Sequence, residues 1–489
     1  MFENYRLGDK GMFLGREKEL ESLRLLLNKP TSSLVACRGR RRIGKSTLFG
    51  EFARRNRTEF IVIEGLGPRK GQTNADQLRN FGERLCAQTL GAQVIPESWM
   101  EAFRLLGERI DDRKKTVVLL DEISWMGRHE PDFPGFLKNG WDDFLKRHDN
   151  LILVLCGSVS AWIQENLLES ATFGGRFSRS IVLKELPLDL CVKFWRGREK
   201  RLALREIVDV LSVTGGVPRY LEEIDPSLSA DANIARMCFS EDGPLFKDFN
   251  AIFSEVFGST SLVKADILRR LAEGGPATCS EIAARLGVER GGSLSRNLAE
   301  LHEAGFVSKD DNINPATGRK AKEARYRVCD NYARFYLKYI EPHEGEIRGG
   351  RYGFGSLAEL RGWETDKGLQ FENLVVNHAM ALIPHLHLEG VTIRSAAPFA
   401  LKGRRDGTKG IQIDLLIQTS RVAYIVEVKR RIRIGCEIER EIAEKVAAFP
   451  KRRGVSIRTA LVYEGELDDS VARSGAFDIL VPFARLLKV

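Results

Sequence analysis

The chain carries 489 residues, 43% of them hydrophobic, with a net charge of +9. That length exceeds what one core supports and implies roughly two to four domains, while no segment approaches the ~20 apolar residues of a membrane helix. Met1–Arg6 has no basic-then-apolar signal segment, and the eight scattered cysteines form no Cys-x-x-Cys pair; this argues against a zinc or disulfide scaffold and a membrane partner and predicts a cytoplasmic protein.

The first informative element is the apolar run Leu34-Val35-Ala36-Cys37, a short buried strand. It is followed by Gly39-Arg40-Arg41-Arg42-Ile43-Gly44-Lys45-Ser46 and a helix opening at Ser46-Thr47-Leu48-Phe49. Strand, glycine loop and helix are the context that a phosphate-binding loop requires. Gly39 and Gly44 allow the tight path, the N–H groups from Gly39 through Arg42, Ile43 and Gly44 to Thr47 face the phosphates of ATP, and the helix N-terminus adds its dipole. Lys45 then sits on the β- and γ-phosphates, and the Ser46 hydroxyl ligates Mg²⁺. Further on, Thr116-Val117-Val118-Leu119-Leu120-Asp121-Glu122 reads as a central parallel strand that ends in two acids. Asp121 is placed to hold Mg²⁺ through its water shell, and Glu122 to act as base for the water that attacks the γ-phosphate. Residues from Trp125 to Arg147 suit a helix. A third strand, Leu151 to Cys156, ends at Gly157-Ser158, where Ser158 can sense the γ-phosphate.

These residues resemble the AAA+ and signal-transduction (STAND-like) ATPases, and particularly the archaeal-type ATPase family. The resemblance extends to Phe13-Leu14-Gly15-Arg16-Glu17, similar to the family's leading box near the adenine, and to Thr214-Gly215-Gly216-Val217-Pro218-Arg219-Tyr220, similar to a helical-lid signature. It implies that Arg16 lies near the adenine and that Pro218 lies near the base or ribose. It also implies that Arg176 or Arg179, in Gly174-Gly175-Arg176-Phe177-Ser178-Arg179, acts in trans on a neighbour's site, which calls for a homo-oligomer.

Beyond the ATPase part, Leu262 to Leu271, Thr278 to Gly287 and Ser293 to Leu301 read as three helices. Phe306-Val307, a basic loop and Ala324 to Val328 form a hairpin-like wing. The order resembles a winged helix-turn-helix, in which Ser295, Arg296 and Asn297 of the third helix reach DNA. Basic clusters at Arg319 to Arg327, Lys402 to Arg405, Lys429 to Arg433 and Lys451 to Arg453 favour a polyanionic partner. The five-glycine stretch His343 to Gly355 reads as a linker or docking loop.

Three pieces of the last quarter carry chemistry. Gly368 to Val376 begins a helix with Glu372 on its apolar side. Ile411 to Ile417 is a strand holding Asp414, and Ala423 to Lys429 is the next strand, with Glu427 and Lys429 on one face because side chains alternate. A hairpin would set Asp414 beside Glu427. Carboxylates gathered at one spot repel and call for a hard divalent cation, Mg²⁺ or Mn²⁺, while Lys429 orients water or offsets phosphate charge. Glu437, Glu439 and Lys445 on the following helix either support this site or form a solvated face. The set Glu372, Asp414, Glu427-x-Lys429 resembles the PD-(D/E)xK nuclease superfamily, with Ile413 in place of its proline.

The expected fold class is α/β. A P-loop ATPase core over 1–190 is followed by a helical lid over 191–255, a winged helix-turn-helix over 256–335 and a linker over 336–365. A restriction-endonuclease-like α/β domain over 366–489 completes the chain. The expected function is ATP-dependent DNA binding in which nucleotide state controls a metal-dependent nuclease. The alternative is a STAND-like switch or DNA-binding regulator with an inactive nuclease fold.

Overall fold

The computed structural model describes residues 13–488 except 91, 93, 159, 312, 322, 402–409 and 451. The basic cluster Lys402 to Arg405 and Lys451 therefore lie outside the described residues. The chain forms two compact units. The first runs to Lys184 and takes back Ile252–Ser259; the second comprises Glu185–Ala251 and everything from Thr260 on. Among the described residues no helix is long and apolar enough to cross a membrane.

The first unit is built on a five-stranded, all-parallel sheet of order β2-β3-β4-β1-β5. Its strands are β1 (Ser33–Arg38), β2 (Glu59–Glu64), β3 (Thr116–Asp121), β4 (Leu151–Gly157) and β5 (Phe177–Val182). Period-two alternation sends neighbouring residues to opposite faces, and both faces are buried, which is why these strands read as unbroken apolar runs. Leu34, Ala36, Val118, Leu120, Leu153 and Leu155 enter one core together with Phe81, Trp99 and Phe103. Val35, Cys37, Val117, Leu119, Val154 and Cys156 enter the other, against Leu48, Phe49 and Phe52 of the helix Lys45–Asn56.

In the second unit, the helices Ser261–Gly274, Cys279–Leu286 and Gly292–Glu303 accompany a three-stranded antiparallel sheet whose first strand lies between the first two of them. Its strands are β6 (Ala277–Thr278), β7 (Val307–Asp310) and β8 (Arg325–Val328), in the order β6-β8-β7. Thr278 and Glu281 form a reciprocal capping box that fixes where the second helix starts. Lys264, fully buried on the first helix, is held by Thr260, by Asn297 and by Glu300 at 2.8 Å.

Arg327 points inward rather than out of the wing. Its side chain is 8% exposed and pairs with Asp310 at 3.1 Å, and it also bonds Asn373 and, at 3.0 Å, Asn377 of the helix Trp363–Asn377. The expectation that the basic wing presents this arginine to DNA is therefore corrected. A strand-period pattern could not tell which face of β8 meets that helix. Arg327→Ala should cost ~3–5 kcal/mol, since it strands the buried Asp310 charge; a thermal melt checks this, and a loss under 1 kcal/mol would contradict the burial.

The glycine-rich 343–355 stretch is also packed: Tyr352 and Phe354 stack on Phe239 at 5.2 and 4.5 Å. Last comes a mixed sheet of order β13-β12-β11-β10-β9, made of β9 (Ser395–Leu401), β10 (Ile411–Gln418), β11 (Val422–Ile434), β12 (Ser456–Leu467) and β13 (Ile479–Pro482). β9, β10 and β11 are antiparallel, while β11, β12 and β13 are parallel, with the helix Glu437–Ala448 crossing between β11 and β12.

Candidate functional site

Two sites emerge, one in each unit. In the first, Gly39 leaves β1 with φ +149°, and a side chain there would meet the Leu183 carbonyl at 2.6 Å. Gly44 caps the helix Lys45–Asn56 at φ +86°, a conformation that a larger residue rarely takes. Arg42 adopts positive φ as well, at +70°, so the loop is wound tightly at both ends. Lys45 is buried and donates to the carbonyls of Gly39 at 3.0 Å and Arg40 at 3.1 Å, a position from which it can turn to a phosphate. Arg16 donates to the Ile43 carbonyl at 3.2 Å and to that of Lys184 at 2.7 Å, bracing the loop from outside. Thr47 is exposed on the first turn of the helix.

At the carboxyl edge of the same sheet, Ser46 Oγ donates to Asp121 Oδ2. A Mg²⁺ ion fits this pair, since both oxygens are metal ligands by type and already face one spot. Glu122 follows in a left-handed conformation, φ +49°, and is buried. Its Oε2 accepts from the Ser158 N–H at 3.0 Å and the Ser158 hydroxyl at 2.8 Å. Burial raises the Glu122 pKa, Lys45 pulls it back and Asp121 raises it further, which leaves a carboxylate more basic than one in water.

Sequence reading missed Glu64. It ends β2 in register with Asp121, and burial and then the Asp121 charge raise its pKa. Its signal was the acid at the end of the run Glu59–Glu64. Another missed pair joins Arg41 of the loop to Glu255, on the returning part of the helix Pro244–Phe257. Arg176 is engaged by Asp142 at 3.0 Å and by the Thr172 carbonyl, and Arg179 by Ser22 at 3.2 Å. Pro218 begins the helix Pro218–Leu221 in the second unit.

In the second unit, Ser295 and Arg296 are exposed on the helix Gly292–Glu303, whereas Asn297 is half-buried and taken by Lys264. The pairing of β10 with β11 runs from Gln418↔Ala423 to Leu415↔Val426, which sets Asp414 level with Glu427 one step on. Asp414 Oδ2 accepts from the Val428 N–H at 2.9 Å. Burial, then the Glu427 and Glu372 charges, push the Asp414 pKa up to about 8. Glu427 is fully buried and held by Lys445 through Oε1 and by Lys429 at 3.4 Å through Oε2, an oxygen that has no hydrogen-bond donor among the described residues.

Lys429 is itself tied to Glu441 at 2.8 Å. Glu372 is half-buried on the helix Trp363–Asn377; burial raises its pKa, and the Arg334 and Arg327 charges oppose that. The three carboxylates feel one another, yet among the described residues no group of three His, Cys, Asp or Glu is close enough to hold a metal ion. Of the further acids on the crossing helix, Glu437 pairs with Arg431 at 2.8 Å. A cavity of about 660 Å³ opens against Asp414, lined also by Gln412, Glu441, Glu444 and Lys445.

A folded-state pKa raised above the unfolded value means that protonation of Asp414 favours the fold in acid and that this contribution is lost as pH rises toward 8. Asp414→Asn, neutral throughout, should melt near the wild type below pH 4 and progressively above it up to pH 8 in metal-free buffer. Parallel melting curves across that range would contradict a buried, raised carboxyl.

Residues 13–224 match the model of an ATPase domain found predominantly in Archaea, and residues 263–309 match a helix-turn-helix domain. The chain is 24% identical over 425 residues to an uncharacterized protein of Methanocaldococcus jannaschii, covering 86% of this chain and 87% of that one. Among solved structures it resembles a Walker-type ATPase of Pyrococcus abyssi at TM-score 0.52 and 21% identity, over 68% of this chain and 99% of that one. The ORC2 protein of Aeropyrum pernix matches at TM-score 0.44 and 14% identity, over 70% of this chain and 96% of that one. The chain thus carries an ATPase domain with a P-loop α/β fold, a helix-turn-helix domain and a further C-terminal sheet.

Proposed function

We propose that the protein is an ATP-dependent DNA-binding protein whose nucleotide state controls a metal-dependent DNA nuclease in its C-terminal sheet. The observation that carries the ATPase half is the convergence of Lys45, Ser46, Asp121, Glu122 and Ser158 at one sheet edge. The N–H groups from Gly39 to Thr47 would take the phosphates of ATP, and Lys45 would turn from the carbonyls of Gly39 and Arg40 to the β- and γ-phosphates. Ser46 and Asp121 hold Mg²⁺, which when bound neutralises charge on the phosphates. Glu122 takes a proton from the attacking water as its oxygen bonds to the γ-phosphorus and the bridging P–O bond breaks. Ser158 fixes the carboxylate of Glu122 until phosphate arrives. Arg16 borders the adenosine. An arginine finger, Arg176 or Arg179 of a neighbouring copy in a homo-oligomer, would first have to leave Asp142 or Ser22.

DNA is the partner that fits the helix-turn-helix and the exposed Ser295 and Arg296. Arg296→Glu should flatten the dependence of log affinity on log salt by about one phosphate contact or more, some 0.9 per contact. A slope unchanged from wild type would remove this helix from the DNA interface.

For the nuclease half, Asp414 and Glu427, level on neighbouring strands, would supply two carboxylates to a divalent cation, Mg²⁺ or Mn²⁺, which would acidify a bound water. Glu372 and Lys429 complete the set, with Lys429 offsetting charge as the water oxygen bonds to phosphorus and loses its proton to solvent, while the P–O bond to the leaving oxygen breaks and that oxygen takes up a proton. A second reading, a switch that binds DNA without cutting it, is favoured by one observation: lysines already neutralise Glu427. Incubating purified protein with linear and supercoiled DNA, with and without ATP and Mg²⁺ or Mn²⁺, decides between the two. Intact DNA in every arm would leave the switch.

A further inference from the structure

Two lysines converge on Glu427, and they are not equivalent. Lys429 is anchored twice, to Glu441 at 2.8 Å and to Glu427 at 3.4 Å. It is not among the described residues lining the 660 Å³ cavity. Lys445 lies one helical turn beyond Glu441 on the same helix face as Ala448, and all three line that cavity beside Asp414. Its ammonium reaches from the cavity wall to Glu427 Oε1, the carboxylate otherwise sealed from solvent. Two positive charges thus stand where two carboxylates would bind one dication, and of the two only Lys445 is among the described residues lining this cavity.

We propose that Lys445 is the exchangeable cation of this site: it holds Glu427 in the metal-free protein, gives way to a divalent ion, and then meets the phosphate that enters the cavity. This rests on the nuclease reading above for its last step alone. Lys429, by contrast, stays anchored to Glu427 and Glu441 when the metal enters and offsets phosphate charge from that fixed place. Losing Lys445 has two opposed effects, because the ammonium competes with metal for one carboxylate oxygen and offsets charge on the phosphate.

The test uses the full chain as wild type, Lys445→Met, Lys429→Met and Asp414→Asn, with ATP hydrolysis as the check that each variant is folded. Mn²⁺ binding is measured by electron paramagnetic resonance in the absence of DNA, and cleavage of supercoiled DNA is measured with Mn²⁺. Lys445→Met should bind Mn²⁺ about tenfold more tightly than wild type, the scale on which groups around a metal change its affinity. Its cleavage should fall about 10²–10³-fold, as when one oxyanion donor is removed. Lys429→Met should not gain affinity, and Asp414→Asn should lose Mn²⁺ binding.

Unchanged Mn²⁺ affinity in Lys445→Met overturns the proposal, and so does a gain of Mn²⁺ affinity in Lys429→Met as large as that in Lys445→Met. If wild-type protein cuts no DNA but Lys445→Met still tightens Mn²⁺, the nuclease reading fails while the cation exchange stands. Should neither protein bind Mn²⁺, both fall.

Discussion

Glu122→Gln should slow ATP hydrolysis about 10²–10⁴-fold, the contribution of one positioned general base, with ATP affinity close to that of the wild type. The amide keeps the shape that accepts from the Ser158 N–H and hydroxyl, so the sheet edge and Lys45 stay where they are. What disappears is a carboxylate whose basicity burial has raised. Lys45→Ala should behave differently: it removes the cation that the loop holds in reserve against the carbonyls of Gly39 and Arg40, so nucleotide binding itself should be lost. Equilibrium binding of a fluorescent nucleotide and phosphate release together separate the two variants. Hydrolysis by Glu122→Gln within threefold of wild type would exclude it as the base, a change smaller than about 0.7 kcal/mol in the barrier.

Glu427→Gln and Asp414→Asn should both end DNA cleavage but move stability in opposite directions. Among the described residues no cation is bonded to Asp414, and removing its charge relieves burial above its unfolded pKa. Glu427 is the counter-ion of Lys429 and Lys445, and neutralising it leaves both ammonium groups without their buried partner. Both lysines reach solvent, so the cost is at most about 3 kcal/mol, the lower end for a broken buried pair. Thermal melts at pH 8 in metal-free buffer should place Asp414→Asn above wild type and Glu427→Gln below it. Variants that shift in the same direction would mean that the two carboxylates do not divide the charge as their contacts indicate.

The ATPase site was legible because its chemistry is local. The loop and its helix are contiguous from Gly39 to Ser46, and an unbroken apolar run ending in acids identifies a parallel strand covered on both faces. The C-terminal pairing was legible for a related reason: Asp414 and Glu427 flank a short turn, and period two fixed which residues share a face. What escaped were the contacts distant in sequence that no motif marks. Arg327 looks like any basic wing residue until Asn373 and Asn377, about fifty positions on, close over it. Asn297 likewise carries no mark that Lys264 would claim it. Glu441 looked like one acid among several on an amphipathic helix, because the sequence does not say which turn faces Lys429.

The first unit is discontinuous: its chain leaves at Lys184 and returns for the eight residues Ile252–Ser259. A polypeptide cut after β5 would therefore lack part of the unit, including the Glu255 that pairs with Arg41 of the phosphate loop. Recombination or gene fusion at a single joint could not transplant this ATPase intact. Everything between the two excursions would have to travel with it, so the nucleotide-binding part and the helical segment 185–251 are tied together as one heritable block.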